Sequence, residues 1–456
     1  MKKKFLLLTL KLFMRDLKRI FNPKSIAIIG AKDKENSVGW GLMKNTLKGK
    51  SRVYAVNPNR EKVFGLKCFP SIKSISGIVD LAVIAVPTSI VPLVVKECSE
   101  KKVGAIIVIS AGFSEDGLKG KILQEEIVRI TKKANIPLLG PNCLGVLRPK
   151  IGLNASFAPS LPKSGGIAFI SQSGALIDSL VDCNENYGFS GLVSYGNGAD
   201  LSLIDFVEWF GSDKETKVIT LYLEGISDGK KFMEVCKRIS KNKPILAIKA
   251  GRSRQVQNVV STHTGSLAGN YQIYQAAFKQ SGVQEAETLE ELFDIAKALS
   301  WQPRIENGIA IITNGGGCGV LGADYCQELG VKLSKITEEN LRKLEKVMHP
   351  AFSRSNPLDI IGDALSYRYK AGIEILLSQK DINGILVIQT SQIMTESEKN
   401  AKIVIEASKK YPKKAVMACF MGGKIAKLGI DILEKNQIPN YSDPKRAVRA
   451  LKGLIK

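Results

Sequence analysis

From Lys24 onward, short runs rich in Ile and Val alternate with longer stretches of helical spacing. That alternation predicts βαβ units around parallel sheets, an α/β fold. In the first block the predicted strands are SIAIIG (Ser25 to Gly30), RVYAVNP (Arg52 to Pro58), DLAVIAVP (Asp80 to Pro87), GAIIVIS (Gly104 to Ser110) and PLLGPN (Pro137 to Asn142). Each ends in Gly, Pro, Asn or Ser. Ligands of an open parallel sheet sit beyond the carboxyl ends of its strands, so these endings collect into one mouth.

The stretch from Pro149 to Lys163, with Pro159 and Pro162 and little periodicity, reads as a linker. A second block follows with strands in GGIAFISQSGA, GLVSYG, KVITLYLEG and PILAIKAG, and it closes with the helix LEELFDIAKALSW near Trp301, before Pro303. The third block opens with GIAIITNGGGCG (Gly308 to Gly319), a strand leading into a small-residue turn, which repeats the pattern of GIAFISQSGA (Gly166 to Ala175). The expected domains are 23–149, 164–302 and 305–456, preceded by a helix over 1–22. In that first segment Leu6, Leu7, Leu10, Phe13, Leu17 and Ile20 fall near helical spacing. Its basic start superficially resembles a secretory signal, but Lys11 interrupts the apolar run and no small-residue cleavage site follows. An amphipathic helix packing on the first domain is expected instead, and no apolar stretch approaches membrane-spanning length.

Composition changes this picture little. A chain of 456 residues, 44% of them hydrophobic, accommodates about three domains. The net charge of +23 favours anionic partners, yet the lysines are spread along the chain and no nucleic-acid-binding signature accompanies them. A solvated surface is the plainer account, and no nucleic-acid partner is expected. The eight cysteines lie far apart without CxxC pairs, so no metal site is expected and they read as reduced thiols of a cytoplasmic protein.

Candidate chemistry is concentrated at strand ends. The loop GAKDKENSVGWG (Gly30 to Gly41) lacks the GxGxxG spacing of a nicotinamide dinucleotide site. It leaves open either a different nucleotide ligand or a plain βα turn. In SQSGA, Ser173 and Gly174 stand where a strand meets a helix, and free N–H groups there favour a phosphate or carboxylate. An N-cap with a packing glycine accounts for the same residues. The GxSxG pattern of a hydrolase elbow is not met. Only two histidines occur. His349 precedes Pro350 in a turn and reads as structural. His263 lies in the polar loop GRSRQVQNVVSTHTGSLAGN (Gly251 to Asn270), where a neutral imidazole can act as a nucleophile or simply cap the surface. Glu224, ending the strand in LYLEG, can orient an imidazole or be a solvated strand-end carboxylate.

Taken in order, FNPKSIAIIGA, VNPN, GPNCLG, SQSGAL, YLEGISDG, THTGSLAG, TNGGGCGV, NPLDIIGDA and IPNYSDPKRAVRAL resemble the ADP-forming acyl-CoA synthetases, relatives of succinyl-CoA synthetase, over nearly the whole chain. The resemblance implies a Rossmann-like CoA-binding domain followed by two flavodoxin-like parallel-sheet domains. It implies an acid–thiol ligase that interconverts acyl-CoA, ADP and phosphate with organic acid, ATP and CoA through acyl phosphate and a phosphohistidine. By motif match, His263 is the phosphoryl carrier, Glu224 orients it, and Ser173 and Gly174 bind phosphate. Gly30, Gly39, Asn57, Pro87, Gly112 and Asn142 are expected to hold CoA, which is a substrate; no tightly bound cofactor is expected. ADP or ATP with Mg2+ is expected on an ATP-grasp β subunit, in an α2β2 assembly. Three departures stand out: Lys32 where serine is common, NGAD (Asn197 to Asp200) for NKAD, and GGGCG for GGGPG. A non-catalytic acyl-CoA-binding or scaffolding protein of the same fold is the alternative, with a nicotinamide oxidoreductase third.

Overall fold

The computed structural model describes residues 16–183, 187–253 and 270–456, which divide into two compact units, 1–286 and 287–456. Two seven-stranded sheets make up the first unit. One contains β1 (Ser25–Ile29), β2 (Arg52–Val56), β3 (Lys62–Val63), β4 (Leu66–Phe69), β5 (Leu81–Ile84), β6 (Ala105–Val108) and β7 (Leu138–Leu139) in the order β3-β4-β2-β1-β5-β6-β7. Apart from the antiparallel β3/β4 pair, its strands run parallel. The Ile and Val runs that suggested strands are buried on both faces, as helices covering a parallel sheet require.

The second sheet contains β8 (Gly145–Arg148), β9 (Leu153–Ser156), β10 (Ser164–Ser171), β11 (Phe189–Ser194), β12 (Val218–Leu223), β13 (Ile245–Lys249) and β14 (Val283–Glu285), ordered β14-β13-β12-β10-β11-β8-β9. Here the structure corrects the linker reading of Pro149 to Lys163. β8 and β9 form an antiparallel hairpin, with Gly145 opposite Ser156, and β8 pairs antiparallel with β11. Pro149 falls in the turn of that hairpin, where its missing N–H breaks no ladder bond.

Of the N-terminal helix only Lys18–Phe21 lies within the described residues. It touches both domains rather than the first alone. Arg19 pairs with Asp80 of the first, while Phe21 stacks on Trp209 at 5.3 Å and meets Phe210 at 5.2 Å in the second. The two domains share one apolar core through residues such as Ile20, Phe21, Ile28, Ile170 and Phe206.

The second unit is built on a four-stranded parallel sheet of β15 (Ile309–Thr313), β16 (Leu358–Asp359), β17 (Gly384–Gln389) and β18 (Ala415–Phe420), ordered β16-β15-β17-β18. The helix Leu289–Trp301, which the sequence pattern attaches to the end of the second block, packs within this unit. Its Asp294 carboxylate accepts from Arg446 at 2.8 and 2.9 Å, and its Lys297 pairs with Glu434.

Candidate functional site

The mouth of the first sheet is shaped by close backbone approaches. Gly30 follows β1 with φ +92°, and a Cβ there would lie 2.2 Å from the Ala85 carbonyl oxygen. Gly39, in the helix Val38–Thr46, comes equally near the Gly30 carbonyl, so the helix can start directly over the strand end. Asn57 holds its own loop: its side-chain N–H donates to Ala31 at 2.9 Å and its oxygen accepts from the Asn59 N–H at 3.0 Å. Pro87 opens a short helical turn after β5, and the Gly112 N–H after β6 donates to Glu115 at 2.7 Å. Asn142, at φ +57°, donates its N–H to the Ser110 carbonyl at 3.0 Å.

The second sheet presents its strand ends to the same region. β10 stops at Ser171, whose hydroxyl accepts from the Ser173 N–H at 3.0 Å and donates to the Ser173 carbonyl at 2.7 Å. This pinched turn starts the helix Gly174–Asp182, whose first amides no side chain caps. Next to it, the Gln172 side chain reaches the end of β12, where Glu224 lies 6% exposed. The Tyr222 hydroxyl bonds the Glu224 carboxylate, and burial, aided by that carboxylate, pushes this phenol up to about 12. Burial and then the Glu224 charge likewise raise Tyr195.

A cavity of about 650 Å³ joins the two mouths. Val86, Thr88 and Asn142 line it from the first sheet, and Gln172, Ser173 and Gly174 from the second. Of the residues expected to hold CoA, Asn142 lines it directly. Pro87 and Gly112 adjoin the lining residues Val86, Thr88 and Ala111, whereas Gly30, Gly39 and Asn57 do not line it; Gly30 packs against the lining residues Ala85 and Val86. Glu224 reaches the cavity through Gln172 rather than by lining it. His263 lies outside the described residues.

Three polar residues among those of the lining that the sequence reading did not single out bear on the site. Gln172 sits inside the SQSGA motif. Asp178, one helical turn beyond Gly174, was legible from its spacing; burial raises its carboxyl above the ordinary range, and its Oδ1 finds no hydrogen-bond partner among the described residues. Asn197, in the altered NGAD motif, places Nδ2 3.1 Å from Ser114, 2.5 Å from Glu115 and 2.9 Å from Gln124, fastening the second domain to the first. The following Gly198 takes φ +60°, a conformation glycine adopts without the cost other residues bear. Lys249, buried at the end of β13, also escaped notice.

Residues 24–149 match the family described as CoA binding domain, 164–299 the Succinyl-CoA ligase like flavodoxin domain, and 309–452 the Ligase-CoA domain. The chain is 42% identical to acetate–CoA ligase [ADP-forming] I of Archaeoglobus fulgidus over 96% of its own length and 63% of that protein's. It is 40% identical to the alpha subunit of acetate–CoA ligase [ADP-forming] II of Pyrococcus furiosus, covering 95% of this chain and 96% of the relative. Among solved structures, the dinucleotide forming acetyl-coenzyme A synthetase 1 of Ca. Korarchaeum cryptofilum, in complex with phosphate and ADP, superposes with a TM-score of 0.92 at 39% identity, covering 97% of this chain and 96% of that one.

Proposed function

The chain belongs to the ADP-forming acetate–CoA ligase family, and on that premise we propose that it is the acyl-transferring part of such an enzyme. Acyl-CoA lies across the cavity with its thioester near Ser173 and Gly174. An oxygen of inorganic phosphate attacks the thioester carbonyl, the C–S bond breaks, and CoA leaves as the thiol while acyl phosphate forms. The His263 imidazole then takes the phosphoryl group, releasing the organic acid, and passes it to ADP to give ATP. Amides at the start of the helix Gly174–Asp182 stabilise the charge on the transferring group. Glu224 accepts a hydrogen bond from the imidazole and fixes its tautomer.

The observation that carries this reading is the single cavity lined both by the first-sheet strand ends and by Ser173 and Gly174. It lets a CoA thioester and a phosphate meet without either leaving the protein.

Nucleotide handling is assigned to an ATP-grasp part outside these 456 residues, on a β subunit in an α2β2 assembly. Two facts support a further part: the chain spans 63% of the A. fulgidus relative, and the P. furiosus relative is named as an alpha subunit. Mg2+ accompanies ADP on that part. The eight cysteines are free, which supports a reducing, cytoplasmic setting. Among the described residues no helix is long and apolar enough to cross a membrane.

The test is to incubate the assembled enzyme with acetyl-CoA and radiolabelled phosphate. An acid-labile, alkali-stable label on His263, discharged by ADP, is expected. An enzyme that makes ATP with no such label overturns the reading.

A further inference from the structure

Lys249 ends β13 and is 1% exposed, so a whole ammonium group is withdrawn from water. Such burial is costly unless the charge does something there. Its Nζ donates to the Glu224 carbonyl at 2.9 Å and to the Ala250 carbonyl, and lies 4.7 Å from the centre of the Tyr274 ring. These acceptors are uncharged. Among the described residues, the negative charge that acts on it is the Glu224 carboxylate: burial lowers the Lys249 ammonium below the ordinary lysine value, and Glu224 partly restores it.

Register explains the meeting. Leu223 on β12 stands beside Lys249 on β13, so Glu224 is the first residue past the paired ladder. A strand end normally frays there, yet this one is gripped on both sides of the same residue. Gln172 takes the Glu224 N–H at 2.5 Å, and Lys249 takes its carbonyl. Among the described residues, the phenols of Tyr195 and Tyr222 also face the carboxylate, with Tyr274 closing the cluster through a hydrogen bond from the Ile226 N–H at 3.2 Å. Each is neutral at physiological pH, because burial raises all three. They supply dipoles, and Lys249 supplies the positive charge.

We propose that Lys249 is a positioning residue for phosphoryl transfer: it fixes the Glu224 peptide and sets a positive charge within electrostatic reach of the carboxylate that accepts from the carrier imidazole. The proposal rests on the phosphohistidine reading above, in which Glu224 orients that ring. Lys249 acts through Glu224 and touches no substrate.

The experiment uses the assembled enzyme with Lys249→Met, Lys249→Gln, Lys249→Arg, Glu224→Gln and the Lys249→Met/Glu224→Gln double variant. Melting curves and CoA calorimetry accompany the kinetics and phosphate labelling. Lys249→Met is expected to lower kcat and the rate of labelling by about tenfold or more while leaving the KM for acetyl-CoA unchanged, and Lys249→Arg to recover part of the loss. The double variant should be no slower than Glu224→Gln alone, because both changes disable the same device. A residue that merely filled space would instead multiply the losses and lower the melting temperature in step. If Lys249→Met does not fold, Lys249→Gln decides, since it keeps donors for the carbonyls but no charge, and the same loss is expected. Folded Lys249→Met or Lys249→Gln enzyme working within twofold of wild type, or multiplicative losses in the double variant, overturns the proposal. A wild-type enzyme that never labels on His263 defeats the phosphohistidine reading and this proposal with it, whereas normal labelling in both wild type and Lys249 variants defeats this proposal alone.

Discussion

The side-chain oxygen of Gln172 accepts hydrogen bonds from the backbone N–H of Glu224 at 2.5 Å and of Gly225 at 3.0 Å. One amide thus ties the turn that presents Ser173 and Gly174 to the strand end that presents Glu224. Gln172→Ala would leave both N–H groups without this acceptor, at a cost of about 1–2 kcal/mol in unfolding free energy. We expect the larger effect on kcat, with CoA affinity retained. Calorimetry on CoA beside steady-state kinetics checks this, and a variant with unchanged kcat refutes the coupling.

His263→Ala should abolish both phosphate labelling and ATP synthesis while CoA binding stays largely intact. Glu224→Gln should label more slowly, because the amide holds the imidazolium formed during transfer less well than a carboxylate does. ATP formation near the wild-type rate by the His263 variant would remove the histidine from the pathway.

Gly30→Ala places a methyl group 2.2 Å from the Ala85 carbonyl oxygen in a backbone at φ +92°. The strain and the clash together should cost more than about 2 kcal/mol and displace the end of β1. Denaturant unfolding would show a lower midpoint, and CoA affinity should fall with it.

Asp178 makes stability depend on pH. Burial raises its folded-state pKa, so the unfolded chain releases this proton at lower pH than the folded one. Below the ordinary carboxylate value both states are protonated and there is no penalty. As pH rises from that value through the folded one, the carboxylate becomes progressively destabilising. Asp178→Asn should therefore melt higher than wild type at neutral pH, with the gap closing near pH ~3. A gap that is constant or widens toward acid contradicts this assignment.

Much of this was legible in the sequence because it is local. Strands such as Ser25–Ile29 and Ile309–Thr313 are buried, largely apolar runs with turn residues at their ends, and SQSGA marks a strand meeting a helix. What escaped depends on distant partners. β8 and β9 have four residues each, too few for a periodic signal, and exist because β11 receives β8. The pairing of Asp294, in the helix Leu289–Trp301, with Arg446 joins residues 152 positions apart. Gln172 and Lys249 look unremarkable in their own segments, and only the meeting of β10, β12 and β13 gives them Glu224 as a shared neighbour.

After β11 the chain runs back along the last strand of the first sheet. Asn197, Ala199 and Leu201 donate their N–H groups to the carbonyls of Pro141, Gly140 and Leu138 at 3.0, 3.2 and 3.1 Å, while Asp200 accepts from the Leu138 N–H at 3.1 Å. The second domain therefore seals an open sheet margin that the first domain cannot cover by itself. A fragment ending at residue 149 would expose those carbonyls and the apolar pair Leu138 and Leu139, a template for strand addition by another copy. Cutting the chain at this natural-looking border would leave the first domain prone to associate along its uncovered edge.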